Sequence, residues 1–514
     1  MSTAATRTTP ELTIESPAER SSGQSLSLSE KAAVLASGQA LSSVAMILTM
    51  VVLARVFSQR DYATYQQTML TFQLASPLLM LGLHQAMYYF LPLNAERSRQ
   101  ILAENLLLLA GSGLICSLFF SIGGRHWVAW WFDNPDLASC LLVFAPYFLL
   151  MLPAASLPAC LMAWGRAREV AAFNAGSRLL MFLLVVIPSL IWPRPLTAVS
   201  GAVAGAGVCA AAALLMMGRA CRGGSWQPTL RGLRSQLAFG VPLGLAAAIG
   251  LFERSVDKLM VAAMASPEDF SIYVNGALEI PLIGVVTSSV TSVLIPEYTR
   301  LYAEGRLSDI VALMHRAMTS CALVILPAMA FLFVAAGDLM VLLFGPTYEA
   351  SAAPFRVYLL LLPVRTLTFG ALLMAMGKGR CILIQTVATL AINVPAAWLA
   401  IRLFGSIGAA IAAVGAVYLV SLPYLLLQLR RWLHCPIRTL IPWRNLGEII
   451  VACGIPIAVL ALVRSLAAGW PELVTLLVSG LVFFSATLVL LRIFHLVFFP
   501  RVSRWIGTAI GLRG

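Results

Sequence analysis

Glu253, Arg254, Asp257 and Lys258 stand within six consecutive residues of a largely apolar stretch running from 236 to 264. In a helix each residue advances by about 100°, so Glu253 and Asp257 stack on one edge and Arg254 and Lys258 on the adjoining edge. All four fall within an arc of roughly 140°, and Phe252, Val256 and Leu259 take the other side. A lone charge in hydrocarbon costs at least about 2.5–3.5 kcal/mol, so such a face has one of two explanations. It lines a hydrated cavity, where the basic pair attracts phosphate oxygens and the acidic pair carries a proton or Na⁺. Otherwise it is a self-neutralised i,i+4 network near an interface, with Lys258 snorkelling outward.

Arg365 and Arg178 are further embedded cations. A buried guanidinium offers forked donors that match phosphate oxygens; for Arg365 the alternative is pairing with an acid on another helix such as Glu279. Arg356 lies near a helix end and reads as snorkelling. Asn275 and Glu279 are one turn apart, and each can hydrogen-bond another helix or line a cavity. Gln66, Gln73, His84, Gln85, Tyr88 and Tyr89 suit either a polar path or ordinary packing. Asn393 is open to the same two readings.

The elements that position these groups follow from composition. The chain has 514 residues, 60% hydrophobic and only 11% charged, with a mean hydropathy of +0.88. A soluble domain carries roughly 25% charge, so hydrocarbon is the expected solvent. Apolar stretches of about 20 residues then read as transmembrane helices, whose backbone polar groups are satisfied internally. Spans are expected near 32–56, 63–92, 100–123, 138–164, 169–192, 197–218, 236–264, 270–296, 309–336, 353–376, 380–402, 407–429, 446–467 and 471–497. The net charge of +13 sits in short loops rather than on a face that nucleic acid would need. Of the 35 Lys and Arg residues, 24 fall at one set of helix ends and 6 at the other. The positive-inside rule then places both termini in the cytoplasm. The nine cysteines show no metal-ligand or disulfide spacing. No nucleotide motif or cofactor fingerprint is present, and no outer loop is large enough for a polymerase or ligase site.

An internal echo organises the spans. Leu149-Leu-Met-Leu-Pro153 running to Leu161-Met-Ala-Trp-Gly-Arg-Ala-Arg168 is repeated as Leu359-Leu-Leu-Leu-Pro363 running to Leu373-Met-Ala-Met-Gly-Lys-Gly-Arg380. The copies are six spans apart and so share one orientation, a parallel repeat. The expected division is a disordered cytoplasmic tail (1–30), a six-helix lobe (31–220), a basic linker (221–235), a second six-helix lobe (236–430), two additional helices (446–498) and a basic tail (499–514).

Four passages carry a family resemblance: Gly82-Leu-His-Gln-Ala-Met-Tyr-Tyr-Phe-Leu-Pro92; Val256-Asp-Lys-Leu-Met-Val-Ala with Ile272-Tyr-Val-Asn275; Val341-Leu-Leu-Phe-Gly-Pro-Thr-Tyr-Glu-Ala-Ser-Ala352; and Phe404-Gly-Ser-Ile-Gly-Ala-Ala-Ile-Ala412. From Leu28 to about Arg431 the chain resembles the polysaccharide transporters, the O-antigen and exopolysaccharide-unit flippases of the multidrug/oligosaccharidyl-lipid/polysaccharide exporter superfamily. The last two spans match none of these passages. The resemblance implies an all-α membrane protein of about 14 transmembrane helices, with two parallel six-helix lobes in a V around a central cavity. It implies a bacterial inner-membrane protein, not an enzyme, whose cargo is a polyprenyl-pyrophosphate-linked oligosaccharide. Membrane lipids, a coupling proton or Na⁺, and other polysaccharide-assembly membrane proteins are the implied partners. On that reading Arg254, Lys258, Arg365 and Arg178 hold pyrophosphate, Asp257, Glu253 and Glu279 couple the ion, and Gln73, His84 and Asn275 line a sugar path. A peptidoglycan-precursor flippase and a drug or cation antiporter share the architecture.

Overall fold

The computed structural model describes residues 28–278, 280–466 and 470–493, so Glu279, residues 1–27 of the expected 1–30 tail and the whole of the 499–514 tail lie outside it, while residues 28–30, expected as disordered, open a helix. Every described element is helical. The stretch expected as the first lobe, and called so below, contains α1 (Leu28–Val56), α2 (Gln59–Met80), α3 (Leu83–Leu93), α4 (Ser98–Phe119), α5 (Arg125–Trp131), α6 (Asp136–Ala154), α7 (Leu157–Ala163), α8 (Ala167–Ile191) and α9 (Pro195–Ala220). The second contains α10 (Leu230–Met264), α11 (Pro267–Gly276), α12 (Pro281–Ala303), α13 (Leu307–Phe344), α14 (Ala352–Leu359), α15 (Leu362–Arg365), α16 (Phe369–Ala375), α17 (Gly379–Phe404), α18 (Ile407–Ala416) and α19 (Leu422–Leu433). Helices α20 (Trp443–Leu466) and α21 (Glu472–Ile493) pair with each other and pack on α13. Buried Phe483 seats against Phe331 there, with ring centroids 5.7 Å apart.

Ten described helical stretches are long and apolar enough to cross a membrane, or eleven if one bent pair, Pro346–Leu359 with Leu362–Ala375, counts as a span. That falls short of the fourteen expected from sequence. The remaining three fall on α1, which contributes a shorter apolar stretch, Ser42–Val56, and on two interrupted pairs. The expected span 63–92 breaks at Leu81 and Gly82, both with positive φ. The expected span 270–296 breaks after Gly276, and Pro281 opens α12 rather than lying inside a helix. Proline lacks the N–H that a continuous helix needs at that point, and the first turn is where it fits.

The repeat read from sequence has a conformational counterpart. Gly165 and Gly377 take φ of +70° and +71°. Arg166 N–H bonds the Leu161 carbonyl at 3.0 Å, and Lys378 N–H bonds that of Leu373 at 2.8 Å. Both are left-handed glycine turns ending a short helix. The shared Gly-basic-x-Arg pattern therefore encodes one turn used twice.

The lobes meet where α2 packs on α10 and α11, where α3 and α4 pack on α10, and where α1 touches α12 and α13. At the middle of the seam Gly82 approaches the backbone at Gly240 and Gly244 so closely that no Cβ fits. Gly82→Val adds a strained φ to that clash, each costing about 1–3 kcal/mol. The expected outcome is a severalfold loss of folded protein after detergent extraction, read by size-exclusion chromatography. Toward the linker, Glu104 accepts from Thr229 N–H (3.0 Å) and hydroxyl (2.7 Å), and Asn105 donates to Gln236 at 2.9 Å. At the opposite end Arg55 donates to the Leu342 and Leu343 carbonyls, and Gln59 to that of Thr347 at 2.9 Å.

Candidate functional site

Helix α10 runs unbroken through the charged stretch, because no glycine or proline falls between Leu251 and Met264. Its continuity keeps Glu253, Arg254, Asp257 and Lys258 on one face, and all four line a cavity of about 400 Å³. Arg365 of α15, Asn393 and Thr389 of α17, Tyr358 of α14 and Thr287 of α12 supply the rest of the polar wall. The lining comes wholly from the second lobe. Among the described residues no ion pair joins members of the set of four, although Arg254 lies within electrostatic reach of Glu253. Arg254 is exposed to the cavity, Glu253 and Lys258 are half-buried, and Asp257 is only 3% exposed.

Burying a carboxylate is tolerable only when donors replace its water. Asp257 Oδ2 accepts from the Tyr273 hydroxyl at 2.8 Å and from the Tyr358 hydroxyl. The two hydroxyls are 2.8 Å apart. The trio ties α10, α11 and α14 together through one carboxylate oxygen, so the charge on Asp257 bears on the spacing of three helices. Asn393 is 3% exposed and its Oδ1 has no hydrogen-bond partner among the described residues. An acceptor buried without a donor costs about 1–3 kcal/mol, which a ligand N–H or O–H in the cavity would recover.

The other expected site residues lie elsewhere. Arg178 sits on α8 in the first lobe, within electrostatic reach of Tyr65 and Tyr147. Gln73 reaches Ser255 across the seam at 3.4 Å. Asn275 is fully buried and accepts from Tyr62 at 2.8 Å, so its carbonyl is committed to holding the lobes together. His84 is half-buried on α3, its Nδ1 without a hydrogen-bond partner among the described residues. Tyr273 and Tyr358 were not among the expected site residues. Tyr273 does belong to one of the four passages carrying the resemblance, and tyrosines spaced to reach a buried acid were the available signal.

A family model described as polysaccharide biosynthesis protein matches residues 28–302, more than half of the chain. The chain belongs to that family. No curated protein matches it. Among solved structures, the lipid II flippase MurJ in an inward closed conformation superposes with a TM-score of 0.73 at 14% identity, covering 90% of this chain and 99% of that one. An inward-facing multidrug resistance MATE family transporter of the MOP superfamily gives 0.56 at 14% identity, over 78% and 95% of the two chains. The Vibrio cholerae MATE transporter VcmN in the bent form gives 0.52 at 13% identity, over 79% and 97%. At these identities the likeness is one of fold. This member of the polysaccharide biosynthesis family is thus a multi-pass helical membrane protein with a transporter fold.

Proposed function

We propose that the protein flips a polyprenyl-pyrophosphate-linked oligosaccharide repeat unit across the bacterial cytoplasmic membrane, by ion-coupled alternating access, with both termini cytoplasmic. Such a cargo does not cross unaided, because each stripped hydroxyl costs several kcal/mol and the phosphates more. The observation that carries the reading is the cavity that gathers Arg254, Lys258 and Arg365 beside Glu253 and Asp257. Three cations around one hollow suit a diphosphate, while the prenyl tail stays in lipid. Arg254 and Lys258 supply donors with no ion-pair partner among the described residues, so their charge is available to the cargo. Asp257, held by two tyrosines, is suited to bind a proton or Na⁺ and to pass its arrival to α11 and α14. Gln73 and His84, on the first lobe's side of the seam, are candidates for contacts with the sugars.

The cations weigh against a drug antiporter, whose cargo is commonly cationic. The likeness to a lipid II flippase supports a second reading, a lipid-linked peptidoglycan precursor as cargo. It requires the same anion site. Depleting the protein and extracting the lipids tests both. Build-up of one prenyl-linked repeat unit is expected. Build-up of the peptidoglycan precursor selects the second reading, and unchanged lipids with altered drug sensitivity reject both.

A further inference from the structure

Two corners of the second lobe handle their positive charge in opposite ways. At the turn from α12 to α13, Arg300 pairs with Glu297 (2.6 Å) and Glu304 (2.8 Å), and Arg306 pairs with Glu304 (3.1 Å) and Asp309 (2.6 Å). The Arg300 hydrogen bond holds the Glu297 carboxyl below its ordinary pKa. This corner carries its own counter-charge.

The corner formed by the α16–α17 turn, the end of α19 and the following loop has none. Between Glu349 and Glu448 the chain contains no acidic residue. Arg380, Arg430, Arg431 and Arg438 are all exposed, and none forms an ion pair with a described residue. They are drawn together by contacts on neighbouring residues. Lys378 stacks on the Trp432 ring at 3.6 Å, and Cys381 reaches Gln428 at 3.6 Å. The Thr439 carbonyl meets His315 of α13 at 2.7 Å, which anchors the loop bearing Arg438. Trp443, 60% exposed, stands just beyond. Indole rings favour the headgroup level of a bilayer, which sets the depth of this corner.

Clustered guanidiniums raise one another's energy unless an anion sits among them, and Arg is the side chain best shaped to fork onto phosphate. Positive charge that only oriented the chain in the membrane would be served equally well by the paired corner. We propose that the unpaired corner is a docking surface for anionic phospholipid headgroups of the adjoining leaflet. The self-neutralised corner beside it is not. This inference is independent of the cargo.

The test uses full-length protein in nanodiscs of phosphatidylcholine containing increasing phosphatidylglycerol, with bound lipid quantified after stringent washing. The wild type is expected to retain phosphatidylglycerol in preference to phosphatidylcholine. Each of Arg380→Gln, Arg430→Gln, Arg431→Gln and Arg438→Gln should weaken retention about fivefold, the equivalent of about 1 kcal/mol per basic residue near a charged surface. A double variant, Arg300→Gln with Arg306→Gln, should change it less than about twofold, because paired charges offer little to a lipid. Equal retention of the two lipids overturns the proposal, as does an equal loss in the Arg300/Arg306 variant. Displacement of the lipid by inorganic phosphate also overturns it, in favour of a free-anion site.

Discussion

Replacing Arg254 and Arg365 together by glutamine is expected to lower transport of the lipid-linked oligosaccharide at least about a hundredfold. The two side chains face one hollow from α10 and α15, so both can reach a single diphosphate. Hydrogen bonds to charged groups contribute about 1.5–3 kcal/mol each, and each 1.4 kcal/mol is about tenfold. Losing one strong contact per side chain therefore predicts roughly a 10² to 10⁴ decrease. Glutamine keeps much of the length and some donor capacity, so the loss reports charge rather than space. Arg178→Gln, in the first lobe, should reduce transport less than about threefold, the effect of a distant like charge screened by a wet bundle. The assay is transfer of a radiolabelled prenyl-diphosphate oligosaccharide into vesicles, normalised to folded protein.

The second large effect concerns Asp257. Asp257→Asn preserves shape but removes the group whose charge an arriving proton or Na⁺ changes. A membrane potential of 100 mV supplies about 2.3 kcal/mol per coupled charge, which corresponds to about a fiftyfold accumulation ratio. The variant should lose that factor and carry cargo only downhill, at a rate unaffected by external pH or Na⁺. Tyr358→Phe provides the contrast. It removes one of the two hydroxyls on Oδ2 but leaves the carboxylate, so gradient dependence should persist while the rate falls. Normal concentrative transport by Asp257→Asn across pH and Na⁺ levels would remove Asp257 from the coupling role.

Much of the fold was legible because hydrocarbon imposes a simple code. Long apolar stretches and the repeated Gly-basic-x-Arg turn read directly onto helices and onto the two glycines at φ near +70°. The breaks were less legible. Pro281 falls inside the expected span 270–296, and only packing decides whether a membrane proline bends a helix or starts one. Leu81 and Gly82 gave no local warning, because the demand on Gly82 comes from Gly240 and Gly244, more than 150 residues away in sequence.

The site divided along the same line. Helical spacing placed Glu253, Arg254, Asp257 and Lys258 on one face, since that depends only on the rise and turn of α10. Joining Arg365 and Asn393 to them required knowing which helices enclose one hollow. Asn275 looked equally suited to a sugar path, but its fate depended on Tyr62 facing it from the other lobe. The partners of Asp257 escaped because Tyr358 lies about a hundred residues further on. Glu279 was weighed as a partner for Arg365, and it falls outside the described residues.

The most direct measurement is an experimental structure with a short-chain prenyl diphosphate sugar bound at saturation. The diphosphate is predicted to lie inside the second lobe, in contact with Arg254, Lys258 and Arg365. Diphosphate density against Arg178 in the first lobe, with the α10–α15 hollow empty, would contradict that placement and the transport mechanism built on it.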